Sequence, residues 1–285
     1  MPSSPADGED RSVLGDQWAI VRGTPLFYRA GPEVDGPVML HLHGFAISGR
    51  YMVPTAERLA DDFRTLVPDL PGFGRSLPPS HSQTVPELAD SAAAFLDSVG
   101  VERATVLGNS LGCAILGAFA QRHPSRIERA VLVSPAGGIH NQPLLRAVTQ
   151  LLRDAPREPL SMATVAVPDY LHFGMLETAR LFVAMTRFPA LESLLGLDVP
   201  MLVVAGARDP LLPPWHRVRQ VLAGLHEDAS LVVIKEAAHA INYSHPVELA
   251  AVVRQFMNGA ALVGPTSNER TSPLVAFRGG SGLSA

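Results

Sequence analysis

Residues 104–116 read Ala-Thr-Val-Leu-Gly-Asn-Ser-Leu-Gly-Cys-Ala-Ile-Leu, and this stretch decides the fold. The apolar run 104–107 predicts a strand, and the apolar pattern after Ser110 predicts a helix as far as Gln121. Between them, Gly108-Asn109-Ser110-Leu111-Gly112 matches G-x-S-x-G, the pattern of a sharp strand-to-helix turn that projects a serine hydroxyl from a sheet. Glycines are needed there because a Cβ atom would clash where strand and helix approach closely. We therefore predict that Ser110 is a nucleophile.

A nucleophilic serine requires two partners further along the chain. Its hydroxyl is a weak nucleophile until a base removes the proton, and an acid must hold that base in the correct tautomer. Asp209 follows the strand pattern at 201–205, and His239 follows the one at 231–234. Both lie on loops at the carboxyl ends of strands, in the order serine, acid, histidine that this turn motif requires. We predict Asp209 as the acid and His239 as the base. Without such partners a G-x-S-x-G is an ordinary turn that often arises by chance.

Other residues compete for these two roles. The competitors are Asp69, Asp228, His226 and His245. The two aspartates fit the role of the acid less well. Asp69 precedes the serine and lies within a turn, and Asp228 precedes a strand, at the wrong end of the sheet. His245 lies beside Pro246 at a helix start, where capping or exposure explains it. His239 occupies the loop that the order predicts.

The first part of the chain offers an oxyanion hole. Acyl transfer develops negative charge on the carbonyl oxygen, which two backbone N–H groups should face. The strand 38–42 ends in His43-Gly44-Phe45, so the expected donors are the backbone N–H groups of Phe45 and Leu111. His41 and His43 form an H-x-H pair, which can bind metal, but no Asp-His follows to complete a two-metal motif. We expect His43 to shape the loop, and we expect no metal and no cofactor.

The alternation of strand and helix patterns predicts an α/β fold. Apolar runs at 18–21, 26–28, 38–42, 65–69, 104–107, 130–133, 201–205 and 231–234 are strands, and helical patterns lie at 53–61, 85–99, 111–121, 218–222 and 246–257. Continuous apolar runs are typical of strands covered on both faces, as in a parallel sheet. The first two runs predict a hairpin. From 136 to 196 only short helical patterns divided by prolines occur, so a helical insertion should lie over the carboxyl ends of the strands.

These patterns divide the chain into five segments. We expect a flexible N-terminal tail at 1–15, an α/β core at 16–135 and 197–259, a helical cap at 136–196 and a flexible C-terminal tail at 260–285. The tails are rich in Ser, Pro and Gly.

Composition restricts the class of protein. Hydrophobic residues make up 47% and charged residues 18% of the chain, which is typical of a globular protein. A net charge of −4 without a basic run argues against nucleic-acid binding. There is no apolar run long enough for a membrane span and no secretory signal, so we expect a cytoplasmic monomer or homodimer. The single cysteine, Cys113, excludes an internal disulfide and is expected to pack as a small buried side chain.

Taken together, the motifs resemble the α/β-hydrolase fold superfamily over roughly 16–259. They are His43-Gly44-Phe45, Asp69-Leu70-Pro71-Gly72-Phe73-Gly74-Arg75-Ser76, the Ser110 turn, Gly206-Ala207-Arg208-Asp209 and Ala238-His239. The resemblance implies a mostly parallel eight-stranded sheet with helices on both faces, and Asp69 and Arg75 holding a structural turn. Esterases, lipases, lactonases, carbon–carbon bond hydrolases, epoxide hydrolases and haloalkane dehalogenases share the pattern. The last two use an aspartate nucleophile, so Ser110 argues against them, and cofactor-free haloperoxidase-like members would look the same.

The apolar side chains of the insertion indicate the substrate. Some of them should line an apolar pocket, for which we predict Phe45, Phe173, Phe182 and Trp215. The leading hypothesis is hydrolysis of a small hydrophobic acyl or aryl ester through an acyl-enzyme. A carbon–carbon bond hydrolase of aromatic ring-fission products, with the same triad, is the alternative. Its elbow commonly continues with a second glycine, whereas Cys113 follows Gly112 here. A small-molecule receptor on the same fold is the non-enzymatic alternative.

Overall fold

A single mixed β-sheet organises the chain. The computed structural model describes residues 12–136, 141, 143–190, 192–194, 197–214, 216, 218, 220, 229–262 and 274–278. The strands are β1 (Gly15–Val21), β2 (Thr24–Ala30), β3 (Val38–Leu42), β4 (Arg64–Pro68), β5 (Ala104–Asn109), β6 (Ile127–Val133), β7 (Met201–Gly206), β8 (Ser230–Ile234) and β9 (Leu274–Arg278). They lie in the order β1-β2-β4-β3-β5-β6-β7-β8-β9.

Six neighbouring strands of the sheet are parallel to one another, as the continuous apolar runs predicted; in sheet order they are β4, β3, β5, β6, β7 and β8. Every residue of β5 and β7 is buried. The predicted hairpin is confirmed, since β1 pairs antiparallel with β2. Its two connecting residues, Arg22 and Gly23, have φ values of 50° and 80°, the left-handed backbone that a two-residue hairpin turn needs. The predicted eight strands are thus β1 to β8.

Helices cover both faces of this sheet. They are α1 (Val53–Leu59), α2 (Val85–Ser98), α3 (Leu111–Arg122), α4 (Leu144–Asp154), α5 (Ala163–Phe173), α6 (Met175–Arg187), α7 (Ile241–Ser244) and α8 (Pro246–Met257). Successive side chains of a strand point to opposite faces, and β5 shows the result. Val106 packs in one core with α2 and α3, whereas Leu107 packs in a second core with α1 and α8. The central strands of the sheet are therefore buried between two layers of helices.

A helical insertion, which we define as α4, α5 and α6 with their connections, lies between β6 and β7 in the chain. As the sequence predicted, the described residues of this segment form helices and no strand. Most of its prolines flank helices or lie in short 3-10 turns, namely Pro143, Pro156, Pro159 and Pro189. Pro168 is the exception and lies inside α5, so it does not end the helix as the pattern predicted.

Part of each predicted tail is ordered. β1 begins at Gly15, and Leu14 before it is buried. In the segment 260–285, predicted as a flexible tail, Leu274–Arg278 forms β9 and pairs antiparallel with β8. The Gly- and Ser-rich surroundings masked a short run of strand-forming residues, Leu-Val-Ala-Phe. The backbone groups at the edge of β8 find hydrogen-bond partners in residues 274–278. This pairing explains why that segment forms a strand and is not part of a flexible tail. Residues 1–11 and 279–285 lie outside the described residues.

Candidate active site

The turn between β5 and α3 holds Ser110 in an unusual backbone conformation. Its φ is 53° and its ψ is −111°, a region that a residue with a side chain rarely adopts. A Cβ atom on Gly108 would lie 2.4 Å from the carbonyl oxygen of Gly112, and one on Gly112 would lie 2.2 Å from that of Leu42. Both flanking glycines are therefore required by close backbone contacts, as the motif predicted. Leu111 is the first residue of α3, so its N–H has no acceptor within the helix.

Asp209 and His239 are joined by a hydrogen bond. The His239 Nδ1 atom lies 2.8 Å from Oδ2 of Asp209, whose side chain is fully buried. The other carboxylate oxygen, Oδ1, accepts a hydrogen bond of 2.8 Å from the backbone N–H of Leu211. The loop of His239 lies directly against the end of β7, because a Cβ on Gly206 would lie 2.3 Å from the carbonyl oxygen of Ala238. With Nδ1 held by Asp209, Nε2 is the imidazole atom left for a reaction.

The electrostatic surroundings of His239 favour its protonated form. Burial is the largest single effect and lowers the pKa of the imidazole. It is outweighed by the charge of Asp209, the hydrogen bond to it and the charges of Asp154 and Glu158, and the pKa rises to about 9. An imidazole in this setting gains stability when it accepts a proton, which is what a general base does during a reaction.

Ser110 and His239 line one cavity of about 80 Å³ at the carboxyl edge of the sheet. That volume accommodates several waters or a short chain of non-hydrogen atoms. The lining is mainly apolar and comprises Gly44, Phe45, Ile47, Tyr51, Asn109, Ser110, Leu151, Asp154, Met162, Ala166, Tyr170, Phe182, Met185, Leu211, His239 and Ala240. Residues from α4, α5 and α6 thus contribute to the same cavity as the serine.

The predicted substrate-binding residues are only partly brought together. Phe45 and Phe182 line the cavity, with their ring centroids 5.2 Å apart. Phe173 does not line it: its ring stacks on Phe73 at 4.4 Å and faces a separate cavity. Phe173 is the last residue of α5, and its side chain there points toward the loop after β4 and away from the serine. Trp215 lies outside the described residues.

His43 shapes the loop that leads to Phe45, as predicted. Its Nδ1 donates a hydrogen bond of 3.0 Å to the carbonyl oxygen of Gly44, and its Nε2 accepts one of 3.1 Å from the N–H of Leu70. Burial lowers the pKa of this imidazole, and both nitrogens are engaged by the backbone, so neither is free to bind a metal. His41 is buried on β3, and burial lowers its pKa to about 3.

Asp69, a competitor for the role of the acid, and Cys113, the single cysteine, both have structural functions. Asp69 is fully buried and accepts hydrogen bonds from the backbone N–H groups of Gly49 and Arg75, at 2.8 and 2.9 Å. Cys113 is buried, and its Sγ donates to the carbonyl oxygen of Gly108 at 3.0 Å. Burial raises the pKa of this thiol, which keeps it protonated and unreactive.

Several cavity residues were missed by sequence reasoning. Tyr51, Tyr170, Asn109 and Asp154 all line the cavity. Asn109 belongs to the motif, and its place before the serine was a usable signal. Nothing in the sequence distinguishes the tyrosines or the acidic residue of the insertion from surface residues of short helices.

The described part of the chain contains no group of three or more His, Cys, Asp or Glu side chains arranged to hold a metal ion. Among the same residues, no helix is long and apolar enough to cross a bilayer.

Comparisons with known proteins agree with this architecture. The profile of the alpha/beta hydrolase fold family matches residues 37–161. A pimeloyl-(acyl-carrier protein) methyl ester esterase of Aeromonas salmonicida is 29% identical over 251 residues, which are 78% of this chain and 96% of that protein. The dihydrolipoyllysine-residue acetyltransferase component of the acetoin cleaving system of Cupriavidus necator is 34% identical over 137 residues. That match takes in 47% of this chain and spans only 36% of that relative.

A solved structure resembles the whole core. The enol-lactonase of Burkholderia xenovorans superposes with a TM-score of 0.72 and 25% identity, covering 85% of this chain and 100% of that one. Together with the strand order, these matches define the fold. The chain has the α/β-hydrolase fold, which confirms the fold expected from the sequence.

Proposed function

We propose that this protein hydrolyses a small hydrophobic carboxylic ester, with Ser110 as nucleophile, His239 as base and Asp209 as the acid that orients it. One observation carries the proposal: His239, which is hydrogen-bonded to Asp209, lines the same apolar cavity as Ser110. A serine on a strained turn, an oriented imidazole and a mainly apolar cavity are the parts that acyl transfer requires.

The reaction proceeds in two halves. Neutral His239 takes the proton of the Ser110 hydroxyl while its oxygen attacks the ester carbonyl, and Asp209 stabilises the imidazolium that forms. The resulting oxyanion faces the backbone N–H groups of Phe45 and Leu111, and its collapse expels the alcohol with the proton from His239. Water then attacks the acyl-enzyme by the same route, which releases the carboxylic acid and restores the serine.

The cavity supports a short acyl group. Its small volume and apolar lining suit a few methylene groups and offer little to a sugar or a phosphate. The helical insertion would act as the cap over this cavity. The esterase and the enol-lactonase among the similar proteins are named for acting on esters or lactones, which is the same bond class.

Ser110→Ala tests the proposal, with Ser98→Ala as a matched control at the end of α2. On p-nitrophenyl acetate and butyrate we expect the first variant to lose at least about 10³-fold in kcat, and the control to keep the wild-type rate. A fluorophosphonate should label the wild type and the control but not Ser110→Ala. Wild-type turnover by Ser110→Ala would overturn the proposal. Cleavage of a ring-fission diketone without ester turnover would replace it with carbon–carbon bond hydrolysis.

A further inference from the structure

Two carboxyl groups of the helical insertion lie beside His239. Glu158, in the turn after α4, accepts a hydrogen bond of 2.7 Å from the backbone N–H of Ala240 through Oε1. Asp154, the last residue of α4, lines the cavity and is only 4% exposed. Neither acid is used by the triad described above.

Each of these acids keeps one buried oxygen without a hydrogen-bond partner among the described residues, Oδ1 of Asp154 and Oε2 of Glu158. Such burial is costly for a carboxylate. It raises the pKa of Asp154 to about 7, although the charge of His239 opposes that rise. Burial also raises the pKa of Glu158, against the hydrogen bond from Ala240 and the charge of His239. A purely structural anchor would not need two acids in this position, since an uncharged side chain avoids the cost.

The ionisable groups around the imidazole come from three separate parts of the chain. Asp209 approaches from the loop after β7, whereas Asp154 and Glu158 approach from the insertion. Tyr51 and Tyr170 also line the cavity, and burial raises the pKa of both phenols, that of Tyr170 to about 12. The phenols therefore stay neutral at ordinary pH, and the charges acting on His239 are the three carboxylates.

We propose that Glu158 and Asp154 are positioning residues for His239: Glu158 fixes the His239–Ala240 backbone from the insertion, and both carboxylates stabilise the imidazolium formed when the histidine takes the proton of Ser110. The inference rests on the proposed function of His239 as the base. It gives the insertion a second role besides covering the cavity, because it supplies charge and an anchor to the loop of the base.

Three variants of the full chain separate the anchor from the charge. Glu158→Gln keeps an oxygen that can accept from Ala240 but removes the charge, Asp154→Asn removes the other charge, and Glu158→Ala removes the anchor as well. Asp61→Asn, at an exposed position after α1, is the matched control for net charge. The readouts are the pH profile of kcat/KM on a p-nitrophenyl ester and the titration of the His239 imidazole followed by NMR.

Removing a nearby negative charge lowers the pKa of an imidazole. In the wild type, kcat/KM should rise with pH as His239 loses its proton. We expect Asp154→Asn and Glu158→Gln each to move that midpoint down by about 1 pH unit, and Asp61→Asn to leave it in place. Glu158→Ala should move it similarly and also lower the high-pH plateau of kcat by about tenfold, because the Ala240 N–H loses its acceptor.

Midpoints that coincide with the wild type in both Asp154→Asn and Glu158→Gln would overturn the inference while leaving the proposed function standing. The NMR titration keeps the two questions apart, because it reports the charge effect even if no ester is hydrolysed. If Glu158→Ala does not fold, Glu158→Gln still decides the charge effect. An equal loss of kcat in Glu158→Gln and Asp154→Asn, without a shift in the midpoint of the pH profile, would count against positioning.

Discussion

The side-chain amide of Asn109 donates a hydrogen bond of 3.3 Å to the backbone carbonyl oxygen of His239. The same Nδ2 atom donates to the carbonyl oxygen of Val133 at the same distance. The residue that precedes the proposed nucleophile in the chain thus holds the backbone of the residue proposed as its base. The spacing between serine and histidine depends on this amide as well as on the two loops.

Asn109→Ala should lower kcat/KM on a short ester by about tenfold, because two modest hydrogen bonds that fix the loop are lost. Asn258→Ala, at an exposed residue after α8, is the control and should leave kcat/KM unchanged. Steady-state kinetics at a fixed high pH measures the effect. An unaltered kcat/KM in a folded Asn109→Ala would show that the amide does not position the histidine.

Phe182 should limit the length of the acyl chain. It lines the cavity of Ser110 and packs against Phe45, so Phe182→Leu removes volume from the wall. We expect the ratio of kcat/KM for the p-nitrophenyl hexanoate ester to that for the acetate ester to rise by about tenfold. A factor of about ten is the lower end of the change in specificity that one added or removed methylene produces in an apolar pocket. Phe173→Leu is the matched control, because that ring faces a different cavity. An equal change in both variants would mean that the cavity wall does not set chain length.

Gly112→Ala should strongly destabilise the fold, because the new Cβ would lie 2.2 Å from the carbonyl oxygen of Leu42 and backbone atoms cannot easily move aside. We expect a loss of at least about 3 kcal/mol in the free energy of unfolding. Gly100→Ala is the comparison: its φ is 69° but nothing lies within 4 Å, so only backbone strain of about 1 kcal/mol applies. Urea unfolding of both variants measures the difference, and similar losses would contradict the close-contact explanation.

Asp154→Asn should change the pH dependence of stability. Burial raises the pKa of the folded-state carboxyl from 3.8 to about 7, so the folded protein binds this proton more tightly than the unfolded chain. The wild type therefore loses stability as pH rises from about 4 to about 7, and asparagine removes that loss. At pH 8 the variant should melt at least about 2 °C higher than the wild type, with no advantage at pH 4.

Melting curves at the two pH values, with Asp61→Asn as control, test this prediction. An advantage of Asp154→Asn that is equal at pH 4 and pH 8 would show that the buried charge is not its cause.

The turn of Ser110 and the loops of Asp209 and His239 could be predicted because their signals are local. Each follows a strand that the apolar pattern reveals, and parallel strands bring their carboxyl ends to one edge. The direction of Phe173 could not be predicted in this way, since it depends on how α5 packs against the loop of Phe73. The same holds for Asp154 and Glu158. Their burial depends on the placement of the whole insertion, and acidic residues in short helices are normally exposed.

β9 was missed for a different reason. A five-residue strand at an edge has little pattern of its own, and what selects it is the unpaired backbone of β8, which lies far away in the sequence. The six parallel strands could be predicted because most of their apolar side chains are buried, whereas the largely exposed β1 could be predicted because it forms a hairpin with β2.

The strand β9 determines how far the C-terminal end of the protein can be shortened. By pairing with Ser230–Ile234, residues 274–278 occupy donors and acceptors that would otherwise face outward along the rim of the sheet. A shortened version that ends before residue 274 would present this rim to any extended peptide, including another copy of itself. Trimming the polar-looking end of the chain therefore invites self-association and loss of solubility, even though no group near the serine has been touched.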